Sequence, residues 1–201
     1  MTVENFIQAL KKRRSQYALG RNIKQSPTEI NALVTEVMRH TPSAFHSQSS
    51  RAIILFEQDH GDFWQLITEQ LRPLVPAENF AATEEKLKGF AAGAGTILFY
   101  EDLNVVKTLQ ERFALYAENF PIWSEHASGM AQHAVWTALA NANIGASLQH
   151  YLPFADQAIA ERWGIPQSWS LRAQMPFGSI EGAPKEKQFI ANEERVRVFG
   201  A

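Results

Sequence analysis

The sequence predicts a single α+β domain in which helices outnumber strands. Three observations lead there. Several segments repeat apolar residues with a helical period. Two short runs, "RAIILF" (51–56) and "TILFY" (96–100), are apolar, β-branched and aromatic enough to be buried strands. No repeat, low-complexity tract or Pro/Gly/Ser linker divides the 201 residues, so one domain is expected over 1–201.

The elements follow in order. Residues 3–17 place Val3, Phe6, Ile7 and Leu10 at helical spacing, with Lys11 to Arg14 in the last turn, where cations suit the helix dipole. "SPTE" at 26–29 is a helix start: Ser26 as N-cap, Pro27 at the first position and Glu29 three residues on. Ile30, Leu33, Val34, Val37 and Met38 continue one apolar stripe, giving a helix over 27–40. A polar connector, "TPSAFHSQSS" (41–50), leads into the strand at 51–56. Phe63, Trp64, Ile67 and Leu71 build a helix over 60–71, and 77–92 reads as one helix or two short ones. After "TILFY" come helices at about 102–118 and 122–143. The second is Ala-rich and nearly apolar all round, which implies burial inside the domain or in an oligomer interface. A short strand near 144–149, a helix near 153–163 and a strand from about 169 to 178 follow. "QFIANEERVRVF" (188–199) alternates at its end as a further strand would.

Composition narrows the function. Net charge is −2 and pI about 6.3, so no global basic field recruits nucleic acid or anionic lipid. Cysteine is absent, which removes disulfides, thiol nucleophiles and cysteine-held metals and suits a reducing cytoplasm. No segment approaches 18 consecutive apolar residues, so no membrane span is expected, and the polar N-terminus lacks the apolar core of a signal peptide. A cytoplasmic location is the expectation.

"GFAAGAG" (89–95) has the wrong order for a dinucleotide fingerprint, since a helix precedes it and a strand follows; a helix end turning into a strand explains it better. His126 and His133 lie seven apart on one predicted helix, a poor spacing for zinc, so no metal site is expected. No G-x-S-x-G elbow occurs. "KKRR" (11–14) suits either a solvated helix end or, with Ser15, a phosphate grip, because arginine makes bidentate charge-assisted bonds. "APKEK" (183–187) sets Lys185 and Lys187 on one face if extended. Phe113, Tyr116, Phe120, Trp123 and Trp136 crowd the middle of the chain. Phe120 to Trp123 fall in a predicted break between helices, where a ligand plate or a subunit contact would account for them.

Taken in order, "RRSQY", "PSAFHSQ" before a strand and "P-K-x-K" near the C-terminus resemble the nitroreductase family of FMN flavoproteins. "WTALANANIGASLQHY" looks like that family's helix-then-strand entry to the flavin. The likeness runs from about residue 6 to 195 and is nearest to the short fungal and bacterial branch of fatty-acid-repression-type nitroreductase-like proteins. It implies a central, mostly antiparallel sheet flanked by helices in an intertwined homodimer, with 122–143 as the central dimer helix. Arg13, Arg14 and Ser15 would hold the FMN phosphate and ribityl chain, joined by Lys185 and Lys187, with Tyr17 near the pyrimidine edge. Pro42, Ser43, Ala44, His46 and Gln48 would line the cofactor of the partner subunit. Ser147, Leu148, Gln149 and His150 would run beside the isoalloxazine, and Phe45, Phe120 and Trp123 would wall the substrate pocket. The implied activity is ping-pong NAD(P)H-dependent reduction of nitroaromatics, quinones or similar electrophiles, with flavin N5 carrying the hydride and no catalytic side chain. Two departures stand out: His46 where the family commonly has Asn, and Tyr17 where many relatives place a cation. They support a second reading, a flavin-binding dimer with a mainly sensing role in redox-stress or lipid responses.

Overall fold

The computed structural model describes residues 3–200. Its helices are α1 (Val3–Lys12), α2 (Pro27–His40), α3 (Glu57–Leu71), α4 (Ala77–Ala91), α5 (Leu103–Arg112), α6 (Asn119–Asn141), α7 (Asp156–Trp163) and α8 (Asn192–Arg195). Its strands are β1 (Leu19–Gly20), β2 (Ser50–Phe56), β3 (Gly95–Asp102), β4 (Gly145–Ala146) and β5 (Trp169–Ile180). Every strand pairing is antiparallel, in the order β1-β5-β3-β2 with β4 added to β5. The α+β expectation holds, as does the antiparallel sheet.

Helices cover both faces of the sheet, and β3 shows why "TILFY" is uniformly apolar. Its alternate side chains point to opposite faces. Leu98 and Tyr100 pack with Phe63, Trp64 and Phe90 of α3 and α4. Ile97 and Phe99 pack with Ile30, Val34, Val135 and Leu139 of α2 and α6. A bulge between Phe99 and Tyr100 leaves Arg172 of β5 unpaired and re-aims the end of the ladder. Under α3, the fully buried His60 completes a directional chain. Trp64 Nε1–H donates to Thr96 Oγ1 at 2.9 Å, Thr96 lies 2.8 Å from His60 Nδ1, and His60 Nε2 lies 3.2 Å from the Ala91 carbonyl.

Local signals explain several boundaries. Ser26 and Glu29 form a full capping box, with Ser26 N–H donating to Glu29 Oε2 at 2.8 Å. Gly95 is required by close approach, because a Cβ there would meet Phe177 Cζ at 2.5 Å. Other boundaries differ from expectation. α1 stops at Lys12 rather than 17, because the next residues leave the helix to bridge Ala146. Helix 102–118 is α5 plus a 3₁₀ turn at Ala114–Tyr116. Phe120 to Trp123 lie inside α6, not in a break. Only Gly145–Ala146 of 144–149 is regular strand, and β1 was missed. Residues 188–199 form α8 and irregular, exposed chain, with no strand among the described residues pairing with Val196 and Val198.

Candidate functional site

The two ends of the chain meet because β1 pairs with the end of β5, Leu19 opposite Ile180 and Gly20 opposite Ser179. That register brings residues 13–17 beside the tail that leaves β5. Arg14 Nη2 donates to the Lys185 carbonyl across 171 positions of sequence. Arg13 and Arg14 both act on Lys187, whose ammonium is held below its ordinary value by desolvation first and by those two charges next. Arg13 is itself lowered, chiefly by burial and then by Arg14. The structure thus brings Arg13, Arg14 and Lys187 together, with the Lys185 backbone bonded to Arg14 and half-buried Ser15 bridging to β4.

None of these four cations makes an ion pair among the described residues. Arg13 Nε is buried and has no hydrogen-bond partner there. Like charges gathered without a counterion are costly, and an orphaned buried donor is costly too. Both costs fall when a polyanion such as a phosphate enters.

The segment 147–150 borders this cluster. Ser147 N–H donates to the Pro176 carbonyl at 3.3 Å and Gln149 N–H to Gln174 O at 2.7 Å. Gln149 Nε2 adds a bond to Ser147 Oγ at 3.1 Å. In such a ladder alternate N–H groups point away. The N–H groups of Leu148 and His150 are those, and neither has a partner among the described residues. They are available to a ligand lying along the segment. Tyr17, which the resemblance sets near the flavin pyrimidine edge, is exposed.

The 41–50 connector lies elsewhere. Phe45, His46 and Gln48 all have positive φ, at 54°, 52° and 51°, three non-glycine residues in a region that such side chains seldom occupy. The turn is tied at both ends. Ser43 Oγ accepts from Gln48 N–H at 2.9 Å, and Arg51 Nη1 donates to Gln48 O at 2.5 Å while its Nη2 reaches Asp102 Oδ2 at 3.1 Å. Ser50 Oγ bonds Glu101 Oε1 at 2.5 Å. Glu101 is fully buried, and burial raises its carboxyl above the ordinary value. Pro42, Ser43 and Gln48 line an open cavity of about 860 Å³ between α2 and β2. Ala44 starts the turn, and its carbonyl accepts from Ser47 N–H at 3.1 Å.

Phe45 extends from this turn into a set of rings: Phe113 at 4.8 Å between centroids, Phe120 at 5.3 Å, Tyr116 at 6.0 Å and Trp123 at 6.1 Å. The structure therefore brings Phe45, Phe120 and Trp123 together. Phe113, at the end of α5, and Tyr116, on the 3₁₀ turn, join this set and were not singled out as part of it from the sequence. In one chain this wall does not meet the cation cluster. Trp123 touches the first and Trp136 touches Arg13, at 4.4 Å. Both lie on α6, 13 residues and so about 20 Å apart.

The sequence matches the nitroreductase family over residues 10–179. It is similar to HBN1 of Saccharomyces cerevisiae, 32% identical over 196 residues, covering 96% of this chain and 97% of that one. Nitroreductase FRM2 of the same yeast is 30% identical, covering 94% of each chain. Among solved structures, nitroreductase CinD of Lactococcus lactis in complex with chloramphenicol superposes with a TM-score of 0.89 at 46% identity, covering 96% of this chain and 99% of that one.

Proposed function

The chain belongs to the nitroreductase family, and we propose that it is an FMN-dependent NAD(P)H oxidoreductase that reduces nitroaromatics, quinones or related electrophiles. The observation that carries this reading is the unpaired cation cluster beside the two free backbone donors. Arg13, Arg14, Lys185 and Lys187 are suited to a dianionic phosphate, which arginine binds in bidentate fashion. Ser15 supplies a hydroxyl to the adjoining polyol. Ser147, Leu148, Gln149 and His150 would border the bound ring, with the N–H groups of Leu148 and His150 free to donate to it. FMN, when bound, supplies the hydride chemistry itself, so the protein's work is to bind, orient and exclude water.

The separation of the two halves of the site along α6 supports a homodimer. Pro42, Ser43, Ala44, His46 and Gln48 then border the cofactor held by the partner subunit, and Phe45, Phe120 and Trp123 wall a slot shared in turn by NAD(P)H and a flat oxidant. The open face of α6 fits this assembly, since Ile122 and Met130 are exposed on a single chain. CinD, also solved with 4-nitrophenol, suggests nitroaromatics as the substrate class to try first. Steady-state NAD(P)H oxidation with 4-nitrophenol and with a benzoquinone tests the reading. Parallel double-reciprocal lines are expected, and donor oxidation that neither oxidant accelerates would overturn it. Slow turnover with tightly held flavin would favour the sensing role, for which Tyr17 is the structural argument.

A further inference from the structure

Arg13 poses a physical problem. Its guanidinium sits next to Arg14, is half-buried, and has no carboxylate to hold it. Something must fix it against that repulsion. Among the described residues, the one aromatic face it stands over is the Trp136 ring, 4.4 Å from the guanidinium carbon to the ring centroid. Trp136 is in turn pinned: its Nε1–H donates to the Ala146 carbonyl at 3.1 Å. The same carbonyl accepts from Gln16 N–H at 2.9 Å. One oxygen therefore ties α6, the segment after α1 and the start of 147–150 together.

The choice of an aromatic face has a chemical consequence. A carboxylate would hold Arg13 but would also neutralise it and compete with an incoming phosphate. An indole face orients the guanidinium plane, leaves its edge donors free, and keeps the full charge available. We propose that Trp136 is the positioning residue of the phosphate grip, acting through Arg13 on the anionic end of the cofactor. This rests on the flavin reading above and adds a residue to it.

The test compares FMN with riboflavin, which shares the ring and ribityl chain but lacks the phosphate, using flavin fluorescence quenching on the full chain. Wild type is expected to prefer FMN strongly. Trp136→Leu should weaken FMN about tenfold and leave riboflavin unchanged. Trp136→Phe keeps a weaker aromatic face and should lose roughly threefold in FMN affinity, so it carries the test if the leucine variant melts early. In an Arg13→Ala background, Trp136→Leu should change nothing further, because the two act as one unit. Equal weakening of both flavins would overturn the proposal, as would a full Trp136→Leu effect persisting without Arg13. Variants that keep the wild-type preference for FMN would sink this inference alone. A wild-type chain that binds neither flavin would sink the flavin reading, and this inference with it.

Discussion

Phe45 and Trp123 face each other with ring planes 18° apart and centroids 6.1 Å apart, although Phe45 holds a left-handed backbone that aromatic residues rarely adopt. Phe45 is also half-exposed. A backbone held in a costly conformation to present an exposed ring is the pattern expected of a ligand-contacting turn. Phe45→Ala should raise KM for a nitroaromatic oxidant by about tenfold, the size of one aromatic contact, with the melting temperature little changed. An unaltered KM would remove Phe45 from the pocket.

The turn depends on Ser43, whose hydroxyl accepts from Gln48 N–H at 2.9 Å. Ser43→Ala leaves three strained residues without that tie and should cost about 1 kcal/mol of stability. Urea unfolding measures this directly. Gln48→Gly, by contrast, relieves a positive φ and should be neutral or stabilising; clear destabilisation would mean that the turn is not left-handed there.

Tyr17 presents an exposed phenol where the resemblance sets the flavin pyrimidine edge. A lysine there would favour the anionic reduced flavin. Tyr17→Lys should therefore raise the midpoint potential of the bound flavin, read by spectroelectrochemistry, and an unchanged or lower potential would refute the electrostatic account.

Glu101 gives a pH dependence with a definite sign. Burial, its largest influence, raises the carboxyl in the folded chain, so the folded state holds the proton more tightly than the unfolded one. The stability this brings is complete below the ordinary carboxylate value and is lost as pH rises through the raised one. Glu101→Gln keeps a neutral side chain at every pH. Its stability relative to wild type should therefore improve from pH 4 to pH 8; a flat difference would show that Glu101 titrates normally.

Much of the fold is legible where one local device decides it. Ser26, Pro27 and Glu29 announce α2, and the doubly buried "TILFY" announces β3. The cation cluster was legible only as separate fragments, because the β1–β5 pairing that unites residues 13–15 with 185–187 involves two residues per strand and leaves no periodic trace. The end of α1 was misread for a related reason: Arg13 to Tyr17 are acceptable helix formers, and a distant carbonyl, that of Ala146, draws them out. The alternation of Val196 and Val198 looked like a strand, yet a strand requires a neighbour, and none is present among the described residues. The left-handed turn was invisible, since Phe45, His46 and Gln48 carry none of the glycine that usually marks such backbone. Trp136 was noticed only as one aromatic among several; that it stands over an arginine is a fact of tertiary structure.

The central claim is that the four cations hold a flavin that NAD(P)H can reduce. An absorption spectrum of the freshly purified protein, followed by anaerobic addition of NADPH and then NADH, tests it most directly. The account predicts a yellow protein whose flavin bands bleach on addition, and an Arg13→Glu/Lys187→Glu variant isolated without colour. A colourless wild-type protein that takes up no added FMN would contradict it.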